Sequence, residues 1–506
     1  MPIHCENFIG KYTGYDFVNA FKALNELISS SKKIKMDTPL KEIDNAVARA
    51  NEAFLVYRLI KPSIKISFLQ LIADKIDQHR DQLSETASKE TSLPNDRLQT
   101  EITRTINQLR LFAELLREGS WVRAIIDTAQ PERKPFPKPD VRQMQLPLGP
   151  VAVFGASNFP FAYSVCGGDT VAALAAGCTV VYKANPGHPE TSEAVSKIIT
   201  DAVTSSELPD GVFTMVQGAS NETGLRLVMH PLIKAVGFTG SFKGGRALYD
   251  ACARREEPIP VYAEMGSTNP VFILPEILEQ KGEEIAKLLA GSNTVSAGQF
   301  CTNPGIMVAQ ETVGLNKFYD EFSKAIRESP SAPMLTKSIL NNFEKSMKEV
   351  SAKKEVVVAA VAQDDKKENA HAHVFIASGE SFLNDHQLSE EMFGPSSIQV
   401  TAKDKPEMMK IAASLPGQLT ATVWGTENDL KSNKDLIRLL ELKAGRLIIN
   451  NVPTGVEVTR AMMHGGPYPA TTDSKFTSVG TESIYRFTRP VCYQNFPSFL
   501  LPDELI

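Results

Sequence analysis

The stretch "SAGQFCTNPG", Ser296 to Gly305, sets Cys301 between bulky Phe300 and the turn-rich exit Thr302, Asn303, Pro304, Gly305. A cysteine that only fills space normally lies inside a periodic apolar strand or helix. This one lies among small and amide side chains, a loop composition that exposes a thiol and supplies backbone N–H donors beside it, as attack on a carbonyl requires. Read alone, the stretch leans toward packing, since most lone cysteines do no chemistry. "EMGSTNP", Glu264 to Pro270, ends a strand that begins near Ile259 and sets a carboxylate where a general base is well placed, although a surface glutamate closing a strand is the commoner case. "GFTGSFKGG", Gly237 to Gly245, reads as a strand end, a glycine turn and a helix start. Such a turn lets backbone approach a pyrophosphate at a helix N-terminus. It is not G-x-G-x-x-G, and Gly240 and Gly245 serve equally as packing glycines. "EEMFGP", Glu390 to Pro395, is by itself a turn after a helix.

These segments need a scaffold. Ile102, Ile106, Leu109, Ala113 and Leu116 share one face of a 3.6-residue period, as do Phe68, Ile72 and Ile76, so the first part reads as helices. The run "QPERKPFPKPD", Gln130 to Asp140, carries four prolines and cannot continue a helix, which makes it a linker or an extended crossing. From Gly149 short apolar runs alternate with helical segments: "PVAVFGA" as a buried strand, Ala162 to Ala176 as a helix, "CTVVYKA", "VFTMV" and "IKAVGF" as further strands. That alternation implies a parallel sheet with ligand sites at the carboxyl ends of its strands, here "GASNFP", "KANPGHP" and "FTGSFKGG". A second alternating section, about Val271 to Leu447, predicts another α/β unit, and "YRFTRPVCYQNF" predicts an extended arm or strand.

Composition excludes other classes of function. The chain has 506 residues, 42% of them hydrophobic, and a net charge of -5, which suits a large globular core and gives no electrostatic reason to expect nucleic acid or a membrane surface as partner. "MPIHCENFIG" lacks the basic and apolar regions of a signal peptide, and the apolar region Val151 to Ala184 is broken by Asn158, Pro160, Gly167, Gly168 and Asp169. Six cysteines (Cys5, Cys166, Cys178, Cys252, Cys301, Cys492) without a C-x-x-C pair predict free thiols, a cytoplasmic setting and no zinc site. His371 and His373 in "HAH" read as a solvent-facing pair rather than metal ligands.

Taken in order, "ASNFPF", "VYKANPGHP", "GFTGS", "EMGSTNP", "GQFC" and "EEMFGP" resemble the aldehyde dehydrogenase superfamily over nearly the whole chain. The resemblance implies an α/β fold with a Rossmann-type cofactor domain (1–130 and 149–265), a second α/β catalytic domain (266–470) and a small β oligomerisation arm (131–148 and 480–506). It implies that Cys301 is the nucleophile that adds to the aldehyde carbon and, after hydride passes to the nicotinamide, is left as a thioester. The side-chain amide of Asn158 and the backbone N–H of Cys301 would hold the oxyanion, and Glu264 would deprotonate the water that hydrolyses the thioester. Lys183 would bond the adenosine ribose, Glu391 the nicotinamide ribose, and Phe393 would pack by the ring, with Gly240, Ser241 and Gly245 along the pyrophosphate and Ser157 beside the cofactor.

Where many members that prefer NAD carry an acid, this chain has Pro186, which admits NADP as well as NAD. Ser267 replaces a usual glycine, with no consequence drawn. The loop "NNVPTGVEVTRAMMHGGPYPATTDSKFTSVG" and "GPVAVFGASNFPFAYSVCGGDT" are similar to a branch of 2-oxoglutarate semialdehyde (2,5-dioxopentanoate) dehydrogenases and bacterial fatty aldehyde dehydrogenases preferring NADP. By resemblance the substrate tunnel is lined by Phe159, Tyr163, Phe300 and the helix around Arg104 and Gln108, with Arg104 and Arg460 as cations for a carboxylated substrate, and the protein is a homodimer or homotetramer. A non-catalytic relative is disfavoured by the retained Cys301, Glu264 and Asn158. An acylating enzyme is disfavoured by Glu264.

Overall fold

The computed structural model describes residues 37–506 except Asp365 and Lys367. The "MPIHCENFIG" reading and Cys5 lie outside the described residues. Four helices open the described chain: Leu40–Tyr57, Pro62–Gln78, Arg80–Thr91 and Asn95–Glu118. Proline at the first position starts the second, where its missing N–H costs nothing. The fourth ends at Gly119, whose φ of 78° closes the helix in the left-handed conformation. The apolar faces predicted by periodicity are the buried ones, Ile102, Ile106, Leu109, Ala113 and Leu116 together with Phe68, Ile72 and Ile76.

A five-stranded sheet follows in the order Phe213–Val216, Val180–Lys183, Val151–Phe154, Ala235–Thr239, Val261–Glu264, all parallel. Strands covered on both faces read as unbroken apolar runs, and hence all five stood out in the sequence. The helix expected from Ala162 starts only at Gly168. The reason is a contact from a distant helix: the buried carboxylate of Glu101 accepts the N–H groups of Phe161 (2.8 Å) and Ala162 (2.9 Å), and the chain packs so tightly on itself that a Cβ on Gly167 would stand 2.7 Å from the Ala162 carbonyl oxygen.

The second sheet has seven strands, Val356–Val361, His373–Ser378, Ser396–Ala402, Ile306–Gln310, Val271–Ile273, Gln418–Trp424 and Ala444–Ile449, parallel apart from the first pair. The predicted terminal arm is the strand Thr488–Gln494, antiparallel to Val141–Pro147, which also pairs with Ile125–Asp127. The proline run crosses between those last two strands, largely exposed.

The segment after Ala444–Ile449 returns to the first sheet: Met265 N–H donates to Ala470 O (2.8 Å) and Thr472 N–H to Ala263 O (3.1 Å). This return brings residues 463–480 against the end of Val261–Glu264. His371 and His373 are both half-buried, not solvent-facing, and His373 stacks on Phe375 with its ring 6.0 Å away. No helix among the described residues is long and apolar enough to cross a membrane.

Candidate active site

The loop before Cys301 runs through three successive left-handed residues, Ser296 (φ 51°), Ala297 (φ 53°) and Gly298 (φ 63°). Such backbone persists only where its surroundings over-determine it. At Gly298 a Cβ would stand 2.3 Å from Gly394 O, so the loop is pressed onto the "EEMFGP" turn. Gln299 Nε2 donates to Ser296 O (3.0 Å), and Leu335 N–H donates to Gln299 Oε1 (3.0 Å). Beyond the thiol, Asn269 Nδ2 donates to Cys301 O (2.8 Å) and Asn303 O (2.9 Å). Asn269 is itself held left-handed (φ 46°), and the Oε1 of Gln418 accepts the N–H groups of Thr268 (2.8 Å) and Asn269 (3.1 Å). Buried amides thus fix the thiol from both sides of the loop.

Cys301, Glu264 and His464 converge, their ligand-capable atoms all within 4.8 Å of one another. His464 Nε2 lies 3.4 Å from Cys301 Sγ in hydrogen-bond geometry and 3.1 Å from Glu264 Oε1. Nε2 thus stands between the thiol and the Glu264 carboxylate. Both His464 (0% exposed) and Glu264 (1%) are sealed from solvent. The other glutamate oxygen accepts from Ser478 Oγ. Burial pushes the Glu264 carboxyl up, but His464 and the Ser478 hydroxyl outweigh it and hold the group below the usual carboxylate range. Burial pushes the Cys301 thiol well above its ordinary value, and the charge of Glu264 and a hydrogen bond to its carboxylate add to that effect. A thiol so placed is protonated at neutral pH and must hand its proton to a base, and Nε2 is in contact with it. His464 lies in the loop "TGVEVTRAMMHGGPY", whose composition carries no signal that marks a base.

Asn158 lies on the loop after Val151–Phe154, with Nδ2 donating to Gln299 O (3.0 Å) and one amide hydrogen left over. The Asn158 backbone carbonyl accepts from Arg97 (2.6 Å), whose guanidinium stacks over Phe159 (4.9 Å) and Phe300 (5.3 Å). Arg97 is another residue that sequence reasoning passed over. It sits seven residues before Arg104 and hence on the same helical face. Phe159 and Tyr163 meet edge to face at 5.1 Å, and Phe159 and Phe300 at 5.3 Å, so the predicted aromatic lining is assembled. Arg104 donates to the Tyr163 hydroxyl (3.0 Å). Gln108, expected beside it on the lining, is buried with its amide against Gly168. Arg460 is not brought to this group: its side chain is 59% exposed and faces Glu118 (3.5 Å) and Glu482 (3.4 Å).

A cavity of about 540 Å³ runs from Cys301, Glu264 and Asn158 past Ser157, Glu391 and Phe393 to Lys183 and Pro186. Gly240, Ser241 and Gly244 line it, and Ser241 caps the helix Phe242–Ala253 by accepting Gly244 N–H (3.3 Å), so the helix N-terminus faces the space. Gly245 differs from expectation: a Cβ there would stand 2.7 Å from Met265, which makes it a packing glycine between helix and sheet, with Gly244 taking the lining position. Asn342, Phe343 and Ser346, from the helix Lys337–Ser351, form a wall not foreseen. Glu391 accepts Ser267 N–H (3.4 Å); its side chain is exposed to the cleft, and the water displaced by the surrounding cleft walls pushes its carboxyl up to about 7 against that bond. The donor set fits a dinucleotide: a helix N-terminus for phosphates, a lysine at one end and a carboxylate toward the thiol.

A cysteine with a buried base, a second carboxylate and an amide donor at the closed end of a dinucleotide-sized cleft is equipped to oxidise a carbonyl through a covalent thioester. Comparison with known proteins agrees. The aldehyde dehydrogenase family model matches residues 32–488. The chain is 45% identical over 468 residues, 92% of its length and 89% of the relative's, to an alpha-ketoglutaric semialdehyde dehydrogenase of Acinetobacter baylyi. It is 44% identical, with the same coverage, to alpha-ketoglutaric semialdehyde dehydrogenase 2 of Azospirillum brasilense. The crystal structure of glyceraldehyde-3-phosphate dehydrogenase from Methanocaldococcus jannaschii complexed with NADP superimposes with a TM-score of 0.76 at 18% identity, covering 92% of this chain and 99% of that one, which establishes the shared fold.

Proposed function

The chain belongs to the aldehyde dehydrogenase family, and from that premise we propose that it oxidises 2-oxoglutarate semialdehyde (2,5-dioxopentanoate) to 2-oxoglutarate, accepting NADP at least as well as NAD. The observation that carries the substrate is the 45% identity, across 92% of the chain, to a relative of that name. In the reaction, Cys301 Sγ would bond to the aldehyde carbon while its proton moves to His464 Nε2. The oxyanion would rest on the spare Asn158 amide hydrogen and the Cys301 backbone N–H, where one good donor contributes roughly 3 kcal/mol. When bound, NAD(P) supplies the hydride acceptor, held by Lys183, the Ser241-capped helix and Glu391. Glu264 Oε1 would then take a proton from the water that attacks the thioester, releasing the carboxylate and freeing the thiol.

A spectrophotometric screen of aldehydes with both cofactors tests the reading. The semialdehyde is expected to give a higher kcat/KM than hexanal; equal or better values for hexanal would instead favour a fatty aldehyde dehydrogenase. Pro186 is exposed on a turn pinned independently by Asn185, which donates to Gly155 O (2.9 Å) and accepts Gly187 N–H (2.9 Å). Pro186→Glu is therefore expected to leave the turn in place and to lower kcat/KM for NADP specifically, by charge repulsion of its 2′-phosphate. An unchanged NADP value would show that the position does not read the phosphate.

Ribose hydroxyls donating to Glu391 favour its ionised form, and with a free-protein value of about 7 the cofactor must displace a proton below neutrality. The dissociation constant is thus expected to rise about tenfold from pH 8 to pH 6, and Glu391→Gln to flatten the profile. Fluorescence titration of the cofactor reads both, and a profile unaltered by the substitution refutes the assignment.

The sheet of Ile125–Asp127, Val141–Pro147 and Thr488–Gln494 would serve as the arm through which copies assemble as a cytoplasmic homodimer or homotetramer, the two α/β units being 1–130 with 149–265 and 266–470. A monomer mass by light scattering would remove that part.

A further inference from the structure

Arg104 and Arg446 come to the Tyr163 end of the site from two different layers of the fold, the first in contact with the Tyr163 hydroxyl and the second through the loop that carries Val456 and Val458. Arg104 projects from the helix Asn95–Glu118 and gives one of its five donors to Tyr163, its guanidinium 5.4 Å from that ring. Arg446 projects from the strand Ala444–Ile449 and donates to Pro453 O (2.6 Å) and Gly455 O (2.8 Å). Both are half-buried, both keep a buried Nε with no acceptor, and among the described residues neither has a carboxylate within ion-pairing distance. The charge of Arg104 acts on Cys301 and Tyr163, and Arg446 lies within electrostatic reach of the same two groups.

Arg97 is the third cation of this end, but its guanidinium is committed to the Asn158 backbone carbonyl and lies over Phe159 and Phe300; the remaining lining is apolar. Phe159, Val456, Val458 and Met462 pack against the buried cluster of Ala156, Ala162, Tyr163 and Val479. Two further cations without a carboxylate partner, each with a buried Nε lacking an acceptor, are costly beside this apolar lining unless an anion completes them. The carbonyls that Arg446 holds belong to the loop carrying Val456 and Val458, so an anion gripped there would also fix that wall.

We propose that Arg104 and Arg446 form a two-armed clamp for the terminal carboxylate, and the keto oxygen next to it, of a short 2-oxo-acid aldehyde whose reacting carbon lies at Cys301. The clamp rests on the substrate reading above. It gives Arg446 the role that sequence reasoning gave to Arg460, whose charge is already met by Glu118 and Glu482.

The test compares kcat/KM for 2-oxoglutarate semialdehyde and for pentanal, of equal chain length, in the unaltered enzyme and in Arg104→Met, Arg446→Met and Arg446→Lys. The ratio of the two values is expected to fall about ten- to a hundredfold in each methionine variant, mainly through KM for the semialdehyde. Lysine at 446 should recover part of the ratio, because it restores charge without the planar fork. Inhibition by the product 2-oxoglutarate should weaken in parallel. Equal losses on both substrates, the mark of a displaced loop or a less activated thiol, would overturn the clamp, as would an unchanged ratio. A preference for pentanal in the unaltered enzyme would overturn the substrate reading itself, before any arginine is changed.

Discussion

Cys301→Ala is expected to lower aldehyde oxidation by at least about 10⁴-fold, since removal of a covalent nucleophile leaves only binding and oxyanion stabilisation. Among the described residues no other thiol stands ready to replace it. Cys166, Cys178 and Cys252 are buried away from the cavity, with burial pushing their values up to about 12, 11 and 11, and Cys492 is exposed on the terminal arm. The substitution removes one sulfur from the wall of a cleft whose cofactor end is built by Lys183, Ser241 and Glu391, so titration with NADP should give an unaltered dissociation constant. Hydrolysis of an activated ester should vanish together with oxidation, because both pass through the same acyl-sulfur bond. Turnover within a factor of ten of the unaltered enzyme would remove Cys301 from the mechanism.

The strands of the first sheet were legible because a strand buried on both faces leaves a continuous apolar run, and Val151–Phe154 and Val180–Lys183 are of that kind. Cys301, Glu264 and Asn158 were legible because each stands in a local motif at a strand end or turn. His464 was not: it is 163 residues from the thiol it touches, and nothing in "MMHGG" marks a base. Only the return of the chain along Ala263 to Met265 brings it there, a pairing that period and composition do not encode. The clearest available signal was a lone histidine inside an otherwise glycine- and proline-rich substrate loop. Arg460 failed for the complementary reason. A loop sequence does not say which of its side chains turn inward, and this one meets two glutamates at the surface. The helix start at Gly168 instead of Ala162 likewise depended on Glu101, some sixty residues earlier.

The shared contact of His464 with Cys301 and Glu264 allows the two halves of the reaction to be separated by substitution. His464 Nε2 lies 3.4 Å from the sulfur and behind the cavity wall, whereas Glu264 lines the cavity where water and thioester meet, so thiol deprotonation is assigned to the histidine and water deprotonation to the glutamate. His464→Gln is expected to slow the first turnover itself by about 10²- to 10³-fold at pH 7, within the range for loss of a general base, and to slow alkylation of Cys301 by iodoacetamide to match. That deficit should shrink as pH rises, because the thiol, held well above its ordinary value, then ionises without help. Glu264→Gln removes a negative charge that opposes thiolate formation, so first-turnover oxidation and alkylation should persist or quicken. Deacylation should fall by about 10²- to 10⁴-fold, leaving a burst of reduced cofactor followed by slow turnover. Stopped-flow absorbance at 340 nm distinguishes the pair. A burst lost in Glu264→Gln but kept in His464→Gln would reverse the two roles, and a burst kept in both would leave the thiol needing neither as its base.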